Sequence, residues 1–281
     1  MRKAVTPYLS NPVVVIGGFL TIAWLLVAIF APLLAPYDPI RTLLPLAKPG
    51  MADKSGNIFW LGTDKLGRDI LSRLIYGART VVIFSTLATL TAYVVGVALG
   101  LVAGYWRGWG DAVLSYIANV VLSFPVLVLY IVIIVVVGSS PFNIVLAVTF
   151  GSAPAIFRIV RGITIDVASR DYVAAAVTQG ESTWRIMLFD ILPNASGPLA
   201  VDFCLRLGYT AITIGTLGFL GLGLPPPTPD WGTMVNEGRA MAIAFPHLVI
   251  FPCLAISSLM LGLSLLADGL REVSEAQGRR A

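Results

Sequence analysis

The stretch TVVIFSTLATLTAYVVGVALGLVAGYW, residues 80–106, carries no Asp, Glu, Lys or Arg between Arg79 and Arg107. A helix needs about 20 apolar residues to cross the roughly 30 Å hydrocarbon core of a bilayer, and this segment supplies them without a break. Three further windows are equally free of charge, running from Lys3 to Asp38, from Asp111 to Arg158 and from Arg239 to Asp268. The first and last each hold one span, and the middle one holds two, divided at Gly138-Ser139-Ser140-Pro141. A less clean span covers 196–222, with Asp202 and Arg206 inside it. The expectation is an all-α membrane protein with six transmembrane helices, at about 12–35, 80–105, 112–137, 142–163, 196–222 and 247–269.

Composition supports lipid as the solvent. The 281 residues are 57% hydrophobic and 12% charged, whereas soluble domains carry roughly 25% charged residues. In such a chain the net charge of +4 reports orientation and lipid contact rather than nucleic acid. The basic residues split almost evenly between the two sets of loops, so charge alone does not orient the chain. Arg2 and Lys3 precede an apolar run, Val13 to Leu34, that exceeds the roughly 7–15 residues of a signal-peptide core, and it reads as a retained span. Cys204 and Cys253 fall in spans without metal-ligand spacing and read as small packing residues. No metal site is expected.

The first loop opens with Pro36, Pro39, Pro45, Pro49 and Gly50, then tightens into FWLGTDKLGRDILSRLIYGAR, residues 59–79. Thr63 suits an N-cap, Asp64 the positive end of a helix dipole. Leu66, Ile70 and Leu74 recur on one side, and Lys65, Arg68, Asp69 and Arg73 on the other. This pattern predicts a short amphipathic helix on the membrane surface.

The second polar segment, 164–194, contains DYVAAAVTQGESTWRIMLFDILPN at 171–194. Asp171 can cap a helix from Tyr172, three alanines favour it, and Gly180 ends it. Ser182 can cap a second helix on which Trp184, Leu188 and Ile191 share a face for docking on the membrane domain, with Pro193 stopping it. Ala176 and Gly180, four apart, give a small-residue face that another protein can approach closely. An ordinary connecting hairpin is the alternative. Further on, TLGFLGLGLPPPTPDWGTMVNEGR at 216–239 reads as a rigid turn or a gate, with Trp231 at the membrane interface.

Phosphate-cradling chemistry of the GxxxxGK[ST] type is missing, since Lys3, Lys48, Lys54 and Lys65 are the lysines and none follows a glycine. Ser152 and the single His247 lack the Gly-x-Ser-Gly setting of an intramembrane serine protease. Asp202 and Arg206 stand i, i+4 with the acid first, the favourable order. An unpaired Arg at mid-membrane costs roughly 2.5–3.5 kcal/mol, so the two are expected to pair, either as a self-satisfied bridge or as a polar patch lining a substrate path. A stand-alone ion-coupled carrier is the competing class, against which stands the scarcity of intramembrane acids.

Over nearly its whole length the chain resembles the second permease subunit of bacterial peptide and nickel ABC importers, the kind called dipeptide or oligopeptide permease protein C. The matching stretches are LGTDKLGRDILSRLIYGAR at 61–79, AGYWRGWGDAVLSYIANVVLSFP at 103–125, the 171–194 loop, FLGLGLPPPTPDWGTM at 219–234 and LLADGLRE at 265–272. The resemblance implies a type I ABC importer permease fold. Residues 1–79 would hold the N-terminal span, an extracytoplasmic loop and the interfacial helix; 80–272 a five-helix core with a coupling helix at 171–190; and 273–281 a cytoplasmic tail. The family's EAA motif falls on Ala175, Ala176, Gly180 and Leu192-Pro193, with two departures: Ala174 where Glu is usual, and Glu181 where a small residue is common. The implied ATPase-coupling residues are Asp171, Tyr172, Ala175, Ala176, Gly180, Glu181, Ser182, Arg185 and Pro193. Implied partners are a second permease of similar fold, two ATP-binding subunits that hold ATP and Mg, and an extracytoplasmic substrate-binding protein. The chain itself would be no enzyme and hold no cofactor. Both termini would lie in the cytoplasm of a bacterial inner membrane, and the cargo would be di- or oligopeptides, with nickel, glutathione or opines as alternatives.

Overall fold

The computed structural model describes residues 11–278, with side chains to Glu272. Arg2, Lys3, Arg279 and Arg280, part of the orientation count, lie outside the described residues, as do the side chains of the 273–281 tail. Among the described residues the regular structure is helical apart from a small hairpin of β1 (Met51–Ala52) and β2 (Ile58–Phe59) in the first loop.

Helix α1 (Pro12–Ile29) starts at Asn11, whose side chain accepts from the Val13 amide at 2.9 Å, with Pro12 at the first helical position. After the single turn α2 (Ala31–Leu34) and the loop, α3 (Ile70–Trp106) runs unbroken for 37 residues, about 55 Å. It packs along α6 (Pro141–Ala168). Gly96, Gly100 and Gly104 recur every fourth residue on the contact face, and a Cβ on each would come within 2.7 Å of the Cβ of Ile156, Val160 and Thr164 respectively. Removing those side chains lets the two backbones touch, the usual solution where lipid offers no hydrophobic drive for helix association.

The expected span at 112–137 is broken. Helix α4 (Trp109–Leu122) and α5 (Val126–Val137) meet at 88°, because Pro125 has no amide to donate and disfavours helical backbone at Phe124. Arg161 on α6 grips both carboxylate oxygens of Asp111 on α4, with Nη2 to Oδ2 at 2.6 Å, which fixes the broken pair against α6. Two short helices, α7 (Asp171–Thr178) and α8 (Thr183–Arg185), lead through a π turn, Ile186–Ile191, into α9 (Leu192–Phe219). Pro193 therefore sits in the first turn of α9, directly after the π turn, instead of ending a separate helix. Then come α10 (Trp231–Gly238), a 3-10 turn at Arg239–Met241, and α11 (His247–Gly278). Trp24 on α1 donates to Ser258 Oγ on α11 at 3.0 Å.

Among the described residues four helices, α1, α3, α6 and α11, are long and apolar enough to cross a membrane, which makes five spans if α4 and α5 form one bent span. Helix α9, the fifth expected span, falls outside that set; it carries Pro193, Asn194, Pro198, Asp202 and Arg206. The outward faces are apolar, as lipid contact requires: Val135 and Val136 on α5 are 65% and 79% exposed.

The expected amphipathic helix from Thr63 is a correction. Residues 60–69 form tight turns and the helix begins at Ile70, where Asp69 caps it by accepting from the Ser72 amide at 2.7 Å. Thr63 is buried and accepts from the Ala47 amide at 2.8 Å. Arg68 and Arg73, read as a solvated face, are buried instead. Both guanidinium groups reach Asp64 and also Glu237 on α10, at 2.7 Å from Arg68 and 2.8 Å from Arg73. Glu237 is 169 residues from Arg68, so local periodicity could not reveal it. Trp231 is likewise no interfacial residue: it is fully buried, donates to the Leu74 carbonyl at 2.9 Å and meets Trp24 edge-on at 4.9 Å.

Candidate functional site

Two regions carry the residues singled out by sequence. The first is the 171–193 segment, at the Trp106 end of α3 and so a full helix length from the Arg73 cluster. Asp171 occupies the first helical position of α7, and the cap position belongs to Arg170, without a side-chain bond. The carboxylate still complements the helix dipole from there. Gly180 ends α7 as expected, at φ +77°. Its amide donates to Val177 O at 3.0 Å and the Glu181 amide to Ala176 O at 3.1 Å, the double closure of a Schellman turn. Only a residue tolerant of left-handed backbone fits there.

The faces of this segment differ from the sequence reading. Val173 is buried and Ala176 packs half-buried on the chain's own core, while Tyr172, Ala174, Ala175 and Val177 are exposed. The accessible small-residue face is thus Ala174 and Ala175, with Gly180 beyond them. Ser182 sits at the cap of α8 but makes no capping bond. Glu181 pairs with Arg185 at 3.3 Å on the surface. The docking face below is Ile186, Met187 and Ile191, all buried, whereas Trp184 and Leu188 are exposed. The cause is the π turn: its wider repeat rotates each side chain away from a 3.6-residue count, so only Ile191 of the expected trio faces inward. Trp184 instead lies edge-on to Trp106, centroids 5.5 Å apart.

The second region lies midway along α9. Arg206 Nε donates to Asp202 Oδ2 at 2.6 Å, and the Tyr93 hydroxyl of α3 donates to the same oxygen. Tyr93 is also 3.3 Å from Leu199 O, and its ring is edge-on to Phe203, centroids 5.1 Å apart. The pair is part-exposed, about one fifth of each side chain remaining accessible. Nearby polar side chains satisfy one another: Thr89 with Thr210 at 3.0 Å, and Tyr130 with Ser152 at 3.0 Å. The hydroxyl of Ser152 is therefore engaged by a phenol. Sequence reasoning paired Asp202 with Arg206 but missed Tyr93. A tyrosine in the middle of an apolar span was the available signal, because its hydroxyl must find a partner when buried. Among the described residues no group of His, Cys, Asp and Glu could hold a metal ion.

Comparison with known proteins places this architecture. The family described as binding-protein-dependent transport system inner membrane component matches residues 96–279, and the N-terminal TM domain of oligopeptide transport permease C matches residues 1–49. The glutathione transport system permease protein GsiD of Pectobacterium atrosepticum is 37% identical over 265 residues, covering 94% of this chain and 87% of that protein. The dipeptide transport system permease protein DppC of Haemophilus influenzae is 37% identical over 266 residues, 94% of this chain and 90% of that one. DppC of Alkalihalophilus pseudofirmus is 34% identical over 271 residues, 96% and 88% of the two chains. The chain belongs to the family of binding-protein-dependent transport system inner membrane components, as an all-α permease subunit of an ATP-binding-cassette importer.

Proposed function

We propose that this subunit passes peptides or peptide-like solutes, glutathione among them, through a path between itself and a second permease of similar fold, driven by two separate ATP-binding subunits. The observation that carries the reading is the 171–193 segment. Its underside (Val173, Ile186, Met187, Ile191) is sunk into the core of α3, α6 and α9, and its upper face of alanines is open. An element so anchored and so smooth transmits a push from a docked partner without deforming. Asp171, Tyr172, Ala175, Gly180, Glu181, Ser182, Arg185 and Pro193 border or shape that face, and Ala176 supports it from beneath.

In this reading 171–193 and both termini face the cytoplasm, α9 completes a set of six spans in a bacterial inner membrane, and the Arg73 cluster lies at the extracytoplasmic end, where a substrate-binding protein docks. The cytoplasmic ATPases hold ATP and Mg. With Ala174 where the motif usually has Glu, the acids that border the exposed face are Asp171, one turn before the alanines, and Glu181, which its bond to Arg185 holds in place. Rocking of the two permease halves as the ATPases close and open would expose the path alternately to either side.

The test replaces Ala175 by Trp on the exposed face, where no internal packing is disturbed, and separately Gly180 by Trp. Co-purification of the ATPases with the permease and ATP-driven uptake in proteoliposomes should both fall at least tenfold in each. If assembly and uptake survive both changes, this segment is not the docking surface. Uptake by the permease alone, driven by an ion gradient, would overturn the importer reading itself.

A further inference from the structure

We propose that Asp202 and Arg206 form a two-point site for small zwitterions, the carboxylate receiving a solute's ammonium group and the guanidinium its carboxylate. The inference rests on the importer reading and adds the chemistry of the path. Its basis is how the pair is wired. Oδ2 of Asp202 takes both Tyr93 Oη and Arg206 Nε, so that oxygen is occupied. Oδ1 receives no donor among the described residues, and no second carboxylate reaches the terminal nitrogens of Arg206. One anionic oxygen and one cationic edge are left side by side on a part-exposed surface.

The other strong ion pairs among the described residues engage more of their atoms, although Nε of buried Arg73 is left without a partner. Arg161 engages both oxygens of Asp111, and Arg68 and Arg73 each span two carboxylates. A purely structural pair at mid-membrane gains most by making every bond it can, because each unmade one is paid for in desolvation. The Asp202 pair forgoes those bonds and keeps its accessibility. It is also neutral as a unit, so it offers no deep well to a lone cation or anion. A zwitterion can satisfy both free ends at once and then leave as the internal bond re-forms. Tyr93 is a positioning residue here: by holding Oδ2 it turns Oδ1 outward.

The test uses the whole complex, both permeases with their ATPases, in lipid nanodiscs without the binding protein, so that selection by that protein does not enter. Saturation-transfer NMR would read contact between the complex and three probes: alanyl-alanine, its C-terminal amide and its N-acetyl derivative. We expect a clear signal for alanyl-alanine, a drop of at least fivefold for either blocked form, and loss of the alanyl-alanine signal in Asp202→Asn/Arg206→Gln with assembly intact. Tyr93→Phe should weaken the signal a few-fold, and Arg206→Lys should retain part of it, since the charge stays and the planar fork is lost. Equal signals for all three probes on the unaltered complex would overturn the proposal, whether or not the double variant assembles. So would an unchanged signal in an assembled double variant. ATP-driven uptake by the unaltered complex with its binding protein is the separate readout: its absence would sink the importer reading, whereas uptake without charge discrimination in the nanodisc sinks only this inference.

Discussion

The ion clusters at Arg73 and at Arg206 are built from the same residue types to opposite ends. At Arg73, two arginines and two carboxylates (Asp64, Arg68, Arg73, Glu237) balance each other, with the side chains of Arg68 and Arg73 only 7% and 2% accessible. They join the first loop to α10, and Trp231 seals the join from below. At Arg206, one arginine and one aspartate share a single contact within one helix, and a tyrosine from α3 steadies it. The first arrangement ties distant segments and hides its charge. The second joins α3 to α9 through Tyr93 alone and shows its charge, which in the interior of a bundle is costly unless the exposure is used.

Removing one member of each cluster should separate these roles most sharply. Arg73→Ala leaves Asp64 and Glu237 facing each other through Arg68 alone, and breaking a buried pair in this way costs about 3–5 kcal/mol. Thermal unfolding of the purified permease complex should show the loss, with uptake failing because that end of the bundle comes apart. Arg206→Gln should cost less, about 1.5–3 kcal/mol, the scale of a hydrogen bond to a charged group, while uptake in proteoliposomes falls at least tenfold. A large stability loss at Arg206, or an active and stable Arg73→Ala, would erase the distinction.

Much of the fold was legible because it follows from solvent and period. Charge-free windows located α1, α3, α6 and α11, and the residue order i, i+4 paired Asp202 with Arg206. Gly180 was readable as a helix stop since few residues accept its backbone. What escaped has common causes. Arg68 and Arg73 obey a helical pattern as far as Leu74, but their partner Glu237 is distant in sequence, and a solvated face and a buried ion cluster look alike until that partner is known. Trp184 and Leu188 were placed inward by a count that holds for an α-helix and fails across a π turn. Pro125 carried the information that the third span bends, but within so apolar a run it was outweighed by hydropathy.

Trp231→Phe is the intermediate case. The ring volume beside Trp24 is largely kept, and what goes is the donor to Leu74 O. The Leu74 carbonyl keeps its helical donor, the Ala78 amide, so the loss is one net hydrogen bond, about 0.5–1.5 kcal/mol. The expected result is a lowered unfolding temperature with uptake per folded complex unchanged. A selective loss of uptake would mean that the Trp231 turn works as a gate after all, and the Arg73 end would then be more than a lock.

The smallest effect concerns two carboxyls flanking that lock. Asp69 and Asp230 cap α3 and α10 through Ser72 and Thr233, and burial holds both above the ordinary aspartate value of 3.8. A carboxyl whose folded pKa is raised favours the folded state when protonated, so its charging destabilises: stability should decline as pH rises from 3.8 through the raised folded value and level off above it. This is opposite in sign to a salt-bridged carboxylate. Asp230→Asn keeps a capping oxygen for the Thr233 amide and removes the buried charge. It should flatten part of that decline in unfolding temperature measured from pH 4 to 8 in detergent, and leave the variant at least as stable as the parent at neutral pH. A variant markedly less stable at pH 8 would show that the Asp230 charge belongs to the Arg73 cluster, as a third carboxylate that the arginines need, and the lock would have to be redrawn to include it.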